Sequence, residues 1–343
     1  MKTALFIAAA LLLSACGSEE TAKVLRISGE TMGTTYNITA VDVPDNMTQE
    51  TLSGDVETVL ADVNAKMSNW DPDSEVSRFN TGSDTAPVQV SEDFMTVMIA
   101  ADSVHGLSDG KFDVTLGPLI ELWGFGPRKP EDPVPSDTEI EAALAFVGQG
   151  DVLNVDEQAQ TVAKTSAPVG INLSAIAKGF GIDAVAARLK AIGIENYMVE
   201  IGGDLVAAGR NEQGEAWRIG IEKPEPGEDT VELVVPVIDK GLATSGDYRN
   251  FVEYDGVRYS HIIDPVTGRP ITHWTTSASV VADNAMMADA WATAMLVLGA
   301  ERGLEVAEAN NIAVFFISRV GQEQGGPYIT EASSAYEALL NEN

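Results

Sequence analysis

Apolar positions recur along the chain with two periods. In "TQETLSGDVETVLADVNAKMS" (48–68), Leu52, Val56, Val59, Leu60 and Val63 fall three and four apart, which predicts an amphipathic helix. "SEDFMTVMIAADSVHGLSDG" opens on Ser91 as an N-cap and stops at glycine, and "DTEIEAALAFVG" is a shorter helix. In "VGINLSAIAKGFGIDAVAARLKAIG" an extended lead-in precedes a helix whose buried stripe is Ile182, Val185, Leu189 and Ile192, with Gly193 at its end. "NAMMADAWATAMLVLG" is a helix closed by Gly299, and "ERGLEVAEANN" is another. Between these lie runs with strand composition: "TMGTTYNITAV", "YMVEIGGDLVAAGR" broken at Gly202-Gly203, "WRIGIEKP", "VELVVPVI", "GLATSGDY", "FVEYDGVRYSHIID", "ASVVADN" and "IAVFFISR". "DVLNVDEQAQTVAKT" reads as a hairpin and "NWDPDSEVSRFN" as a loop. Helices and strands do not alternate strictly, so the fold class is α+β with largely antiparallel sheets and packed helices. The proline-rich, charged "FGPRKPEDPVPSD" marks a surface excursion or lid and a soft subdivision near 127–137.

The first residues do not belong to that pattern. Lys2 followed by "ALFIAAALLL" is a secretory signal, too short to span a bilayer, over residues 1–15. Its end, "LSAC", resembles the lipobox of bacterial lipoproteins, which implies cleavage before Cys16 and lipid on that sulfur. The expected location is the periplasmic face of a bacterial membrane. Cys16 is the only cysteine, so an intramolecular disulfide is impossible. Residues 16–23 read as a polar tether and 24–343 as the folded part.

Charge changes the picture further. The chain carries 21 Lys+Arg against 52 Asp+Glu, and loss of Lys2 leaves 20 against 52, or −32. Such a surface repels nucleic acid and anionic headgroups. A phosphate ligand would need a cation or backbone N–H groups.

Three stretches could provide them. Asp289 and Thr293 lie four apart on a helix that is apolar almost all round. Their oxygens converge, and a carboxylate with a hydroxyl suits a hard cation such as Mg²⁺. Asp283 stands where the N-cap of that helix belongs. In "INLSAIAKGFG", Ser174 or Asn172 could cap a helix whose N-terminus faces an anion, with Lys178 one turn in. Gly179 and Gly181 there permit close approach of a ligand or of another element. His261, one of three histidines, precedes the Asp264-Pro265, Thr267-Gly268 turn, and its side chain suits a base near neutral pH.

Taken together, "ETMGTTY", "MSNWDPDSEVSRFN", "KFDVTLGPLIELWGFGP", "INLSAIAKGFGIDAVA", "VEIGGDLVAAG", "ATSGDY", "HIIDPVTGRP" and "ADAWATAMLVLG" resemble, in order, the ApbE family of FAD:protein FMN transferases. The resemblance implies a T-fold-related architecture and an Mg²⁺-dependent reaction. FMN passes from FAD to a Thr or Ser hydroxyl of a target protein, of the Nqr or Rnf kind, and AMP leaves. It implies that Met32, Trp70, Lys111, Phe112, Asp113, Asn172, Lys178 and Ile263 contact FAD. Asp289, Thr293 and the Ala175 carbonyl would hold the metal, and His261 would be the general base. Asn172 stands where many members have Asp, and Ala292 where some have a second acid, so the metal site would have fewer carboxylates. A periplasmic FAD pyrophosphatase and a flavin-binding lipoprotein without chemistry remain alternatives.

Overall fold

The computed structural model describes residues 22–125, 134–224, 230–247, 251–254, 257–321 and 327–341. Cys16, the signal and most of the tether lie outside them, as do residues 126–133 of the proline-rich excursion. Among the described residues no helix is long and apolar enough to cross a membrane.

The chain opens with β1 (Val24–Thr31) and β2 (Thr34–Val41), then α1 (Gln49–Met67), α2 (Glu75–Thr81), β3 (Val88–Gln89) and α3 (Glu92–Leu107). Short elements follow: α4 (Gly117–Leu122), α5 (Asp137–Leu144), α6 (Gln149–Val152), β4 (Leu153–Asp156) and β5 (Thr161–Lys164). After α7 (Ala177–Ala191) come β6 (Asn196–Ile201), β7 (Asp204–Ala208), β8 (Trp217–Glu222), β9 (Val231–Val237) and β10 (Lys240–Gly246). The last third holds β11 (Phe251–Tyr254), β12 (Val257–Ser260), β13 (Ile263–Asp264), β14 (Arg269–Pro270), β15 (Thr275–Ala282), α8 (Ala285–Asn310), β16 (Ala313–Arg319), β17 (Tyr328–Ala332) and α9 (Ser334–Asn341).

The main sheet has eight strands in the order β1-β2-β6-β7-β10-β15-β16-β17, each pair antiparallel. The α+β expectation holds. On one face Tyr36, Ile38, Val199 and Val206 meet Leu52, Val56 and Leu60 of α1 and Ile182, Val185 and Leu189 of α7. Further along, α3 and α8 pack on Ala243, Val280, Val314 and Phe316. On the other face Leu205, Leu242, Val281 and Phe315 are covered by Trp217, Val235 and Val237 of the β8–β9 ribbon and by Tyr336 of α9. Both faces are thus buried in the middle of the sheet, and each Leu or Ile there contributes about 1.5–3 kcal/mol.

"YMVEIGGDLVAAGR" breaks at Gly202-Gly203 as expected, since both have positive φ (58° and 97°) and make the two-residue turn that joins antiparallel β6 and β7. Other local expectations are corrected. "FVEYDGVRYSHIID" likewise splits, into β11, β12 and β13. The stretch taken as a loop contains α2, since Ser74 accepts the Ser77 N–H and caps it. The N-cap of α8 is Asn284, not Asp283. Asn284 is the extended residue and its side chain accepts the Met287 N–H (2.8 Å), whereas Asp283 faces solvent and pairs with Lys240 (2.6 Å). The two helices expected on either side of Gly299 are present: Gly299 breaks the helical path (φ 73°, ψ 168°), and α8 spans both across that kink. Thr275 accepts the Ala300 N–H released there (2.9 Å).

Candidate active site

Two tight turns at one end of the sheet start the site. Met32 and Gly33 (φ 50° and 74°) join β1 to β2, and Gly202–Gly203 join β6 to β7. They sit side by side, since a Cβ on Gly202 would lie 2.8 Å from Thr34 Cγ2. With the start of α7, the middle of α8, the end of β10 and the 261–263 segment they enclose a cleft of about 1690 Å³. Met32, Trp70, Lys111, Phe112, Asp113, Asn172, Ala175, Lys178, His261, Ile263, Asp289 and Thr293 all line it. The structure therefore brings every residue singled out for FAD, metal or base into one space.

The floor is a buried polar cluster. Asp289 is 5% exposed, and its Oδ2 accepts the Gly179 N–H at 2.9 Å. That bond explains the start of α7. Gly179 stands in the first turn of α7, whose N–H groups have no partner within the helix, and Asp289 supplies one. Among the described residues the Ala175 carbonyl accepts no hydrogen bond, so it is available to a ligand. Thr293, one turn after Asp289, shares a hydrogen bond with Ser245 (3.2 Å). Burial and then the charge of Asp204 push the Asp289 carboxyl up to about 7, opposed by Lys178 and the Gly179 bond. Lys178 pairs with Asp204, which is 2% exposed and accepts the Thr244 N–H (3.1 Å). The nearby carboxylates, Asp204 first, hold the Lys178 ammonium above its ordinary range against burial, the largest single influence.

Neither Asn172 nor Ser174 caps α7. Ile176 occupies the N-cap and makes no side-chain bond. Asn172 turns inward on its own loop, accepting the Ser174 N–H (3.0 Å) and hydroxyl (2.6 Å). The exposed helix N-terminus expected for an anion is instead occupied by Asp289. The two glycines serve packing: a Cβ on Gly179 would lie 2.3 Å from the Ala285 carbonyl, and one on Gly181 2.6 Å from Met32 Cε.

The rim is built differently. Trp70 is 70% exposed. The Lys111 ammonium reaches both Asp264 oxygens at 2.8 Å, tying the 111–113 segment to the turn after His261. Phe112 is buried, and Asp113 is spent on its own loop: it accepts from Thr115 and from the Gln149 N–H (2.9 Å). His261 is half-buried between β12 and β13, edge-on to Phe125 (6.3 Å between ring centroids). Ile263 is buried in β13.

Sequence reasoning missed Asp204, Thr244 and Ser245 as cleft residues, although "GGD" and "ATSGD" flagged the turns. It also missed Asn69 and Asn80, whose side chains both donate to the Ile171 carbonyl (2.7 and 2.8 Å) and brace the 171–173 loop. Their partners are about 100 positions away, and no local pattern announces them.

An antiparallel α+β fold whose large cleft holds a half-buried lysine and hard oxygen donors is the frame of an enzyme for a phosphorylated ligand. The chain belongs to the ApbE family, whose model matches residues 32–316. It is 44% identical to the FAD:protein FMN transferase of Vibrio cholerae over 98% of both chains, and 43% identical to that of Haemophilus influenzae over 97% of this chain and 96% of the other. Among solved structures, the flavin transferase ApbE from Vibrio cholerae matches with a TM-score of 0.84 over 92% of this chain and 99% of that one. The apo form of Pseudomonas stutzeri flavinyl transferase ApbE matches at 38% identity with the same TM-score, over 93% and 97%.

Proposed function

We propose that this chain transfers the FMN moiety of FAD to a Thr or Ser hydroxyl of a target protein, releasing AMP, on the periplasmic face of a bacterial membrane to which lipid on Cys16 anchors it. Family membership at 44% identity over 98% of the chain supports the transferase class. The observation that carries the site is the convergence of all the implied residues on one cleft.

The reaction balances simply. The acceptor oxygen bonds to the phosphorus that bears riboflavin. The bridging P–O bond breaks, its electron pair leaves with AMP, and the hydroxyl proton goes to a base. His261 lines the cleft and is the base in this reading, a role whose contribution is typically about 10²–10⁴-fold. Met32, Trp70, Lys111, Phe112, Asp113, Asn172, Lys178 and Ile263 hold FAD in this reading, with Lys178 the half-buried cation paired to the carboxylate cluster.

The donor set fits Mg²⁺. It offers a carboxylate oxygen of Asp289, the Thr293 hydroxyl and the unused Ala175 carbonyl, all hard oxygens. Ala292 is fully buried and adds no charge, and among the described residues no cluster of three or more His, Cys, Asp or Glu side chains could hold a metal. The cation, when bound, would offset the pyrophosphate charge against a −31 chain. Nqr- or Rnf-type subunits are the expected acceptors.

The test is incubation of the full chain with FAD, Mg²⁺ and such a subunit. Flavin fluorescence on the denatured subunit with equimolar AMP supports transfer. AMP with free FMN and an unlabelled subunit would make it a pyrophosphatase, and bound FAD without AMP a carrier.

A further inference from the structure

Lys178 lies between two buried carboxylates and pairs with only one of them. Its ammonium is on Asp204, while it feels Asp289 at longer range. Asp289 is one residue from Lys178 through the Gly179 N–H bond. A third acid in reach, Glu200, is already engaged by the Gly203 N–H (2.6 Å) and the Asn37 amide (2.7 Å). Asp204 is itself fixed. It follows the Gly202–Gly203 turn directly, is 2% exposed, and its second oxygen accepts the Thr244 N–H at 3.1 Å.

The Lys178 side chain is 26% exposed, so its ammonium is largely desolvated and favours a carboxylate partner. If Asp204 did not hold it, the nearest uncommitted carboxylate oxygen would be that of Asp289. Lys178 would then occupy the position that a cation needs. We infer that Asp204 is a positioning residue that keeps Lys178 off Asp289, and so leaves the Asp289 carboxylate open to a divalent cation. The inference rests on the metal reading of Asp289, Thr293 and Ala175 proposed above. It adds a residue outside that set and a reason for a buried ion pair on the cleft floor.

The consequence is a reversal that a merely structural residue would not produce. Asp204→Asn keeps an oxygen for the Thr244 N–H but removes the charge, so Lys178 turns to Asp289. Replacing Lys178 as well, in D204N/K178M, removes the competitor and takes away both partners of the Asp204–Lys178 ion pair, which costs far less stability than removing one of them. The probe is Mn²⁺, titrated calorimetrically into the full FAD-free chain, with thermal melts to confirm folding. D204N should bind Mn²⁺ at least about tenfold more weakly, as expected for groups that orient metal ligands. D204N/K178M should return to within about threefold of the parent, inside the context-dependent spread of such effects. If D204N binds like the parent, or if the double variant stays as weak as D204N, Asp204 does not act through Lys178. The double variant decides the matter even if D204N alone fails to fold, because more than tenfold weakening in it is incompatible with the inference. Asp289→Ala separates the underlying reading: Mn²⁺ binding that survives there at parental strength removes the metal site itself, whatever Asp204 does.

Discussion

The floor and the rim of the cleft are held by different physics. On the floor, Asp204 and Asp289 are buried and Lys178 is half-buried, and each is tied to the backbone of a neighbouring element or to another charge. Low dielectric makes each of these contacts strong and each unpaired group costly. At the rim, Trp70 projects into solvent, and the turn after His261 is clamped by one partly exposed ion pair, Lys111–Asp264. The floor is preorganised by packing between α7 and α8. Damage to the floor should therefore disturb folding and cation binding together. Damage to the rim should alter turnover and spare the fold.

The largest expected effect is at the rim, on chemistry alone. His261→Ala should slow transfer by about 10²–10⁴-fold while FAD affinity, read from flavin fluorescence, and the melting temperature stay near the parent. Transfer at the parental rate would remove His261 as the base. On the floor, Gly179→Ala forces a Cβ against the Ala285 carbonyl (2.3 Å) and should cost about 1–3 kcal/mol or more, measured by urea denaturation. Little change in midpoint would mean that the two helices can separate freely. Lys111→Met should lower turnover about tenfold, or ~1.4 kcal/mol, with stability nearly unchanged, because the pair it breaks is partly solvated. An equal loss of stability would show that the rim is as rigid as the floor.

A further effect concerns pH. Asp183 caps α8 by accepting the Ala285 and Met286 N–H groups (2.9 and 2.8 Å), yet burial pushes its carboxyl up to about 6. The folded state therefore holds this proton more tightly than the unfolded chain. The contribution to stability is full below the unfolded value of 3.8, declines as pH rises to about 6, and is flat above. Asp183→Asn should flatten that part of the stability profile between pH 4 and 6.5, followed by denaturation midpoints. A slope identical to the parent would assign the effect to other groups.

Much of the site could be read before the fold was known, because its residues sit in short stretches with independent chemical reasons. Asp289 and Thr293 share a helix face. Histidine is the residue whose proton affinity suits a base. Asp289 was expected to be buried because its helix is apolar all round, and it is. Other parts were not legible. The role of Asn172 as a cap was plausible by composition, but α7 starts later, where Asp289 takes the Gly179 N–H. Asp204 looked like the polar end of a turn until β7 placed it under Lys178. Asn69 and Asn80 had no local signature at all.

The sequence by itself determined the periodic elements, the antiparallel α+β class, the acidic surface and the residue types for phosphate chemistry. These depend on neighbours three or four positions away on a helix, or two on a strand, and that information is local. The tertiary structure alone decided which carboxylate faces which ammonium, and that the first turn of α7 gives the Gly179 N–H to Asp289 of α8. Those outcomes follow from the crossing of buried elements, where every polar group must find a partner and the nearest one is remote in the chain.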